Sequence, residues 1–416
     1  MQIAPPSPRD QSDPTASRLP GAVVTLVATT AIQVMTALAA LSVPAIAPAV
    51  AAAAGEPASM VGTYISLVYL GSAAAALLSG PQVARLGALR LSQAGLVLCA
   101  LALVLGMTAT SPALAISALV LGLGYGPITP ASSHMLARST DPHRIALTFS
   151  VKQTGVPAGA ALAGVLVPAL AVWVGWQAAL WTVAALCVAT AIAVQPLRAG
   201  LDHDRDPGAR MTASGLLSGV RLVGASRPLR SMAALSFVYS GLQMCTSSFM
   251  VTYLVEALGY GWVAAGLGLT VANLAGVVGR IAWGMVSDRW LLPRTTLQTL
   301  GMLMAVACAL AAAFSPRWPV WAVYAVCALL GATAIGWNGV FLSEVARRAP
   351  PGQAGAATGG SLFVTFVGVV VCPLAFGVLQ RASGSYSLCF AMAGLLCVLA
   401  VVAATVAGRP AHGPAR

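Results

Sequence analysis

Two basic side chains stand inside long uncharged segments of this chain. Lys152, the only lysine, follows Arg144 by eight residues, and Arg280 precedes Asp288 by eight residues. In a helix, which rises about 1.5 Å per residue, each would lie about 12 Å from the charged end of its segment. Charges in such places are costly, so they are candidates either for binding an anion or for structural hydrogen bonds to backbone carbonyls.

The composition indicates the solvent that surrounds these segments. Of 416 residues, 58% are hydrophobic and 8% are charged, whereas soluble proteins carry about 25% charged residues. So few charged residues could not cover the surface of a soluble enzyme or binding module. The mean hydropathy of +0.87 instead fits a protein embedded in a lipid bilayer. The leucine- and alanine-rich runs lack the alternation of membrane β-strands, so an all-α membrane protein is predicted.

The uncharged runs and the breaks between them predict twelve transmembrane helices. A spanning helix needs about 20 mostly apolar residues, and two of the longest runs are divided by turn-forming residues at 108–112 and 175–177. The predicted spans are residues 21–45, 58–80, 91–108, 112–137, 146–171, 177–196, 230–255, 261–286, 296–314, 318–343, 355–379 and 384–407.

The polar stretch 197–229 divides the spans into two groups of six. We therefore expect two six-helix bundles joined by a cytoplasmic linker, with a short cytoplasmic tail at each end. The predicted units are a disordered tail over 1–20, an N-terminal bundle over 21–196, the linker over 197–229, a C-terminal bundle over 230–407 and a second tail over 408–416.

The distribution of arginines predicts the orientation. Eighteen arginines fall on the side of both termini and two, Arg317 and Arg381, on the other side. By the positive-inside rule, both termini face the cytoplasm, and the expected location is the inner membrane of a bacterium. The net charge of +12 is explained by this topology, so no nucleic-acid partner is expected.

The sequence shows no pattern typical of an enzyme, a metal site or a cofactor site. The eight cysteines fall within spans at irregular spacing and are interpreted as small buried side chains. The segment Asp202–Asp206 is interpreted as solvated linker rather than as a metal site. His134 has no acid within a span to orient it, so a packed or pore-lining histidine is expected.

Two copies of a short motif resemble the major facilitator superfamily, whose motif G-x-x-x-D-R-x-G-R follows the second helix. The matching residues are Gly80, Arg85, Gly87 and Arg90 in the first half and Gly284, Asp288 and Arg289 in the second. The resemblance implies the twelve-helix major facilitator fold and a cytoplasmic conformational latch built from these residues. Ala84 replaces the motif acid of the first copy, so a complete latch is expected only around Asp288.

The segment Gly279–Asp288 resembles the eighth helix of monocarboxylate and oxalate–formate transporters, in which an arginine at the place of Arg280 contacts the substrate carboxylate. The resemblance implies a substrate site between the bundles. Polar residues on the first, fourth, seventh and tenth spans are candidates to complete it, or else form interhelical hydrogen bonds. The candidates, beside Lys152 and Arg280, are Gln33, Tyr125, Tyr239, Gln243 and Asn338.

These observations predict a secondary active transporter that moves a small organic anion, a carboxylate, by alternating access. Two buried cations from opposite halves would repel one another and favour separation, and a bound anion would bridge them. The expected partners are an anionic small molecule and the lipid bilayer, and the expected state is a monomer.

Two alternatives stay open: a proton-coupled multidrug exporter of the same superfamily, and a membrane-embedded enzyme or receptor. An exporter of cationic drugs would favour a deeply embedded acid, which the spans lack. If the transporter is coupled to protons, the candidate carriers are Glu256, His134 and the substrate itself.

Overall fold

The computed structural model describes residues 21–56, 60–208 and 217–407, and within them it contains helices and turns but no β-strand. The two predicted tails and the linker residues 209–216 lie outside the described residues.

The first half contains six apolar spans, several of which are broken into two helices by proline or glycine. Pro127, which has no N–H to donate, stands where the fourth span breaks. Gly175 adopts a φ of +90° between the fifth and sixth spans, a conformation that favours glycine. The helices are α1 (Ala22–Ala45), α2 (Ala47–Ala54), α3 (Met60–Leu86), α4 (Ala88–Gly106), α5 (Ser111–Tyr125), α6 (Ile128–Ser139), α7 (Ile145–Gln153), α8 (Gly155–Val174) and α9 (Trp176–Ala193).

The second half repeats this pattern after two short linker helices. One span is interrupted by a π-helical turn, Gly331–Ile335, which we call the π-turn. The helices are α10 (Arg198–Leu201), α11 (Ser218–Ala225), α12 (Arg227–Leu258), α13 (Trp262–Arg289), α14 (Pro293–Ala312), α15 (Val320–Leu330), α16 (Asn338–Arg348), α17 (Ala354–Ser383) and α18 (Tyr386–Ala407).

Eleven helical stretches among the described residues are long and apolar enough to cross a membrane. The one predicted span without a counterpart among these eleven is 230–255, which corresponds to α12, a helix of 32 residues. Part of its polarity is used between helices, because Ser240 donates to the carbonyl of Thr365 at 2.9 Å and Ser236 contacts the Thr365 hydroxyl at 2.9 Å. That α12 crosses the membrane stays a prediction.

The halves have separate apolar cores that join at one end of the molecule. One core contains first-half residues between Ala28 and Leu201, and the other is built mainly from the second half. The second core also contains three first-half residues, Ala76, Leu136 and Phe149. They lie towards the end of the molecule where α6 is followed by α7 and where α9 leads into the linker. We call this the linker end and the opposite one the far end. The exact limits of the two predicted bundles stay a prediction.

Candidate functional site

Lys152 lies in the last turn of α7 and is 1% exposed. Its ammonium donates to three neutral oxygens: Gln33 Oε1 at 2.7 Å, Gln153 Oε1 at 3.1 Å and, more weakly, Thr129 Oγ1 at 3.4 Å. An ammonium has three N–H donors, so this environment satisfies its hydrogen bonding without neutralising its charge.

Arg280 lies within α13, is 3% exposed and reaches both halves of the protein. Its Nε donates to the carbonyl of Ile335 at 2.9 Å, and its Nη1 donates to the carbonyl of Gln153 at 2.5 Å. Lys152 and Arg280 therefore meet at one residue, Gln153. Among the described residues neither cation forms an ion pair.

The expectation that the two cations would separate the halves is wrong for this structure. Lys152 contacts the side-chain oxygen of Gln153, while Arg280 contacts its backbone oxygen. Because each charge has its own neutral acceptor, Arg280 links α13 to the end of α7 instead of pushing it away.

The π-turn supplies acceptors for side chains of α13. Its last residue, Ile335, accepts from Arg280, and Trp283 Nε1 donates to the carbonyl of Ala332 at 3.0 Å. π-Turns disturb the regular helical hydrogen-bond ladder and occur often at functional sites. No feature that the sequence analysis used predicts this turn, although it begins at Gly331 and is followed by Gly336.

Gln33 and Tyr125 complete the cluster around the two cations. The phenol of Tyr125, at the end of α5, lies close enough to interact with the Gln33 amide and the Arg280 guanidinium. Gln33 is fully buried, and its Nε2 has no hydrogen-bond acceptor among the described residues. Four of the seven predicted binding residues are thus brought together. We call Gln33, Tyr125, Lys152 and Arg280 the cation cluster.

The other three predicted binding residues have different surroundings. Gln243 Oε1 accepts from Asn338 Nδ2 at 3.1 Å and from Trp337 Nε1 at 3.2 Å, which links α12 to the start of α16. Tyr239 is fully buried, and its hydroxyl donates to the carbonyl of Leu297 at 2.8 Å. These contacts fit the interhelical alternative that the sequence left open.

Sequence reasoning missed Thr129 and Gln153, the two further residues around Lys152. Gln153 directly follows Lys152, so this adjacency was an available signal. Thr129 lies 23 residues before Lys152, and only the packing of α6 beside α7 brings it near.

The second-half motif joins the two halves at the linker end. Asp288 accepts backbone hydrogen bonds from Ala146 at 3.1 Å and Leu147 at 2.7 Å, in the first turn of α7. A carboxylate at a helix N-terminus satisfies free N–H groups and complements the helix dipole. Gly284 permits close approach, because a Cβ there would lie 2.6 Å from Ser150 Oγ. The position fits the predicted latch, whose action stays a prediction.

The first-half motif is arranged differently. Gly80, in α3, packs on α17, since a Cβ there would lie 2.9 Å from the Cβ of Ala356. Arg85 falls within the last turn of α3 rather than in a loop. Gly87 has a φ of +93° and packs directly against the Asp202 carboxylate.

The interpretation of Asp202–Asp206 as solvated linker is wrong for its first residue. Asp202 is 4% exposed and accepts from the N–H groups of Leu89 at 2.7 Å and Arg90 at 3.0 Å. Burial raises the pKa of this carboxyl, against the opposing effect of the two N–H groups. The linker thus provides an acid beside the motif that lacks one, but it caps α4 within the same half.

His134 has an acidic partner that lies outside the spans. Its Nε2 lies 2.7 Å from Asp204 Oδ2, and Arg138 lies 2.6 Å from the other oxygen of that carboxylate. Burial by itself would raise the pKa of Asp204, but the hydrogen bond and charge of His134, together with those of Arg138, lower it to about 2. The acid comes from the linker, so a search restricted to the spans could not find it.

The two candidate proton carriers lie at opposite ends of the molecule. His134 is in α6, within two turns of its linker end. Glu256 is in the last turns of α12, where its carboxylate accepts from the Tyr386 hydroxyl at 2.9 Å.

In the described part of the chain, no group of three or more potential metal ligands occurs.

The fold and the buried cations define a multi-pass α-helical membrane protein with a charged centre between two halves. The family model of the Major Facilitator Superfamily matches residues 27–369, and the chain belongs to that superfamily. Members of this superfamily are membrane transporters rather than enzymes.

Named relatives and solved structures agree with this assignment. The chain is 26% identical over 298 residues to the gentisate transporter of Corynebacterium glutamicum, covering 69% of this chain and 65% of the relative. It is 32% identical over 206 residues to the "Probable nitrate/nitrite transporter NarK2" of Mycobacterium tuberculosis, covering 48% of this chain and 49% of the relative. The matches thus span just under two thirds of the first relative and about half of the second. The structure resembles the E. coli fucose:proton symporter FucP with a TM-score of 0.75 at 16% identity, covering 94% of this chain and all of that one, which supports the fold alone.

Proposed function

We propose that this protein is a secondary active transporter that moves a small organic anion, a carboxylate, across the bacterial inner membrane by alternating access. The observation that carries the proposal is the meeting of Lys152 and Arg280 at Gln153. Both cations are buried, and their partners are neutral oxygens. Uncompensated charge is costly in a low-dielectric interior, so a bound anion would be stabilised there.

The donors in the cation cluster suit a carboxylate. A guanidinium has five N–H donors, of which Arg280 uses two for Ile335 and Gln153, so three are left for a ligand. Arginine can bind a carboxylate through two parallel hydrogen bonds, and Lys152 adds a point charge. The unpartnered Nε2 of Gln33 offers a neutral donor beside them.

The named relatives support an anionic substrate. One relative is named for gentisate, a carboxylate, and the other for nitrate and nitrite, which are inorganic anions. The cluster of this chain has the charge that either class requires, and a guanidinium can donate to two oxygens of a carboxylate or of nitrate alike. The carboxylate is favoured because the segment Gly279–Asp288 resembles the eighth helix of carboxylate transporters.

The packing of the halves supports an alternating-access cycle. Asp288 and the glycine contacts hold the halves together at the linker end. With the linker end assigned to the cytoplasm by its arginines, we infer that the described state is closed towards the cytoplasm. A carboxylate that drew Arg280 away from Gln153 would break a hydrogen bond between the halves, which is the differential contact that a ligand needs to shift a conformational equilibrium.

Transport by purified protein in proteoliposomes tests the proposal. Uptake of labelled propionate, gentisate, nitrate and a lipophilic quaternary ammonium ion would be measured with and without imposed pH and potential gradients. We expect saturable uptake of at least one carboxylate, inhibited by other carboxylates. Arg280→Ala and Lys152→Ala should lose it, while Arg381→Ala, which removes an exposed arginine at the far end of α17, should retain it.

Two results would contradict the proposal. One is transport of the quaternary ammonium ion with no response to any anion, which would favour the multidrug exporter. The other is parental binding and uptake by both alanine variants in correctly folded protein, as judged by monodisperse elution and an unchanged thermal unfolding midpoint.

A further inference from the structure

A small apolar cavity adjoins the cation cluster. It has a volume of about 60 Å³ and lies between α1, α3, α5 and α8. Its wall includes Leu41, Ile65, Val68 and Val156, and Tyr125 closes one side. Apart from its two tyrosines the lining consists of alanine and branched aliphatic side chains, so the cavity suits an alkyl group rather than a polar one.

Tyr125 and α1 connect this cavity to the two cations. Tyr125 lines the cavity, and its phenol lies near the Gln33 amide and the Arg280 guanidinium. On α1, Ala37 lines the cavity one turn beyond Gln33, so the two residues share a face and are separated by about 6 Å along the helix. The Gln33 amide contacts Lys152 on one side and has an unpartnered Nε2. One small molecule can therefore place a carboxylate at the cluster and its tail in the cavity.

The volume of the cavity limits the tail. A cavity of about 150 Å³ is known to hold benzene, and a water molecule takes a share of about 30 Å³ in the liquid. The part of a substrate that is seated in a cavity of about 60 Å³ is therefore limited to about two carbon atoms, and an aromatic ring would not be fully enclosed there.

We propose that this cavity is the specificity pocket of the transporter and that its substrate is a short-chain aliphatic monocarboxylate, with about two carbons beyond the carboxyl carbon. The inference rests on the proposed function, because the carboxylate must be held by Lys152 and Arg280. On this inference the substrate differs from gentisate, for which one relative is named, because the aromatic ring of gentisate would not fit inside the cavity.

A competition series tests the pocket. Unlabelled formate, acetate, propionate, butyrate, hexanoate, benzoate and gentisate would compete with labelled propionate for binding to purified protein. Each methylene that enters the pocket should increase affinity about fourfold, up to propionate or butyrate. Affinity should then fall for hexanoate. Benzoate and gentisate should bind more weakly than propionate, although they are larger.

Two pocket variants and a matched control sharpen the test. Leu41→Ala enlarges the cavity and should move the optimum to a longer chain, whereas Ala40→Leu fills it and should move the optimum to acetate. Leu70→Ala removes a leucine of α3 that is 58% exposed and should leave the series unchanged. Formate has no tail, so its affinity should stay within twofold of the parent in all three variants.

The outcomes separate this inference from the proposed function. Equal affinity for all the acids, or benzoate and gentisate binding as tightly as propionate, would overturn the pocket while leaving the anion site intact. Unchanged optima in both Leu41→Ala and Ala40→Leu, with folded protein, would overturn it as well. A complete lack of carboxylate binding by the parent protein would contradict the proposed function itself.

Discussion

Replacing Arg280 with lysine removes the guanidinium and keeps the positive charge. In the structure Arg280 donates from Nε to Ile335 in the π-turn and from Nη1 to Gln153 at the end of α7. A lysine ammonium is a single nitrogen, so it cannot serve carbonyls on two helices and also present a two-pronged donor to a carboxylate. Arg280→Lys therefore tests the geometry of the site separately from its charge.

The size of the effect follows from the number of hydrogen bonds lost. At least one of the two hydrogen bonds to the carboxylate should disappear, and a hydrogen bond to a charged group contributes about 1.5–3 kcal/mol. Since 1.4 kcal/mol corresponds to a tenfold change in affinity, the carboxylate should bind about ten to 150 times more weakly. Arg280→Ala, which removes the charge as well, should bind more weakly still.

Equilibrium binding of labelled propionate to purified parent, Arg280→Lys and Arg280→Ala protein measures this effect, with uptake into proteoliposomes as the second readout. Thermal unfolding in detergent identifies variants that fail to fold. Binding and uptake by Arg280→Lys within threefold of the parent would refute the argument from guanidinium geometry. Parental behaviour of Arg280→Ala would remove this residue from the binding site.

Four further predictions concern the second cation and three other parts of the molecule. Lys152→Ala should lower carboxylate affinity and Lys152→Arg should retain part of it, because lysine acts here as a point charge; the same binding assay measures both. Asp204→Asn should destabilise the protein at pH 7 by about 1 kcal/mol or less, since the pair is partly exposed. Because the pKa of this carboxyl is lowered to about 2, that stability is present above about pH 4 and lost between about pH 4 and 2, so thermal unfolding midpoints of parent and variant should converge there. Reporter fusions within 197–229 should read cytoplasmic and those near Glu56 periplasmic, and the reverse pattern would overturn the orientation. Glu256→Gln should retain gradient-driven uptake, because this residue lies at the far end; loss of that uptake with intact counterflow would make it a coupling acid.

The sequence by itself determined the class of architecture and the buried position of the two cations. The break predicted at 175–177 lies at Gly175, which separates α8 from α9, and the span predicted over 261–286 corresponds to α13, Trp262–Arg289. Hydropathy and charge are properties of consecutive residues, so a helix long enough to cross a bilayer can be recognised locally. The burial of Lys152 and Arg280 follows from the same local information.

Only the tertiary structure decided which groups these residues contact. Gln153 accepts hydrogen bonds from both cations, and Arg280 lies 127 residues from it in sequence. Asp202, interpreted as solvated, caps a helix that starts more than 110 residues earlier. Tyr239 turned its hydroxyl to Leu297 instead of joining the cluster. Hydrogen-bond partners depend on how each helix is rotated and how closely it approaches its neighbours, and this is set by packing between distant segments rather than by any one of them.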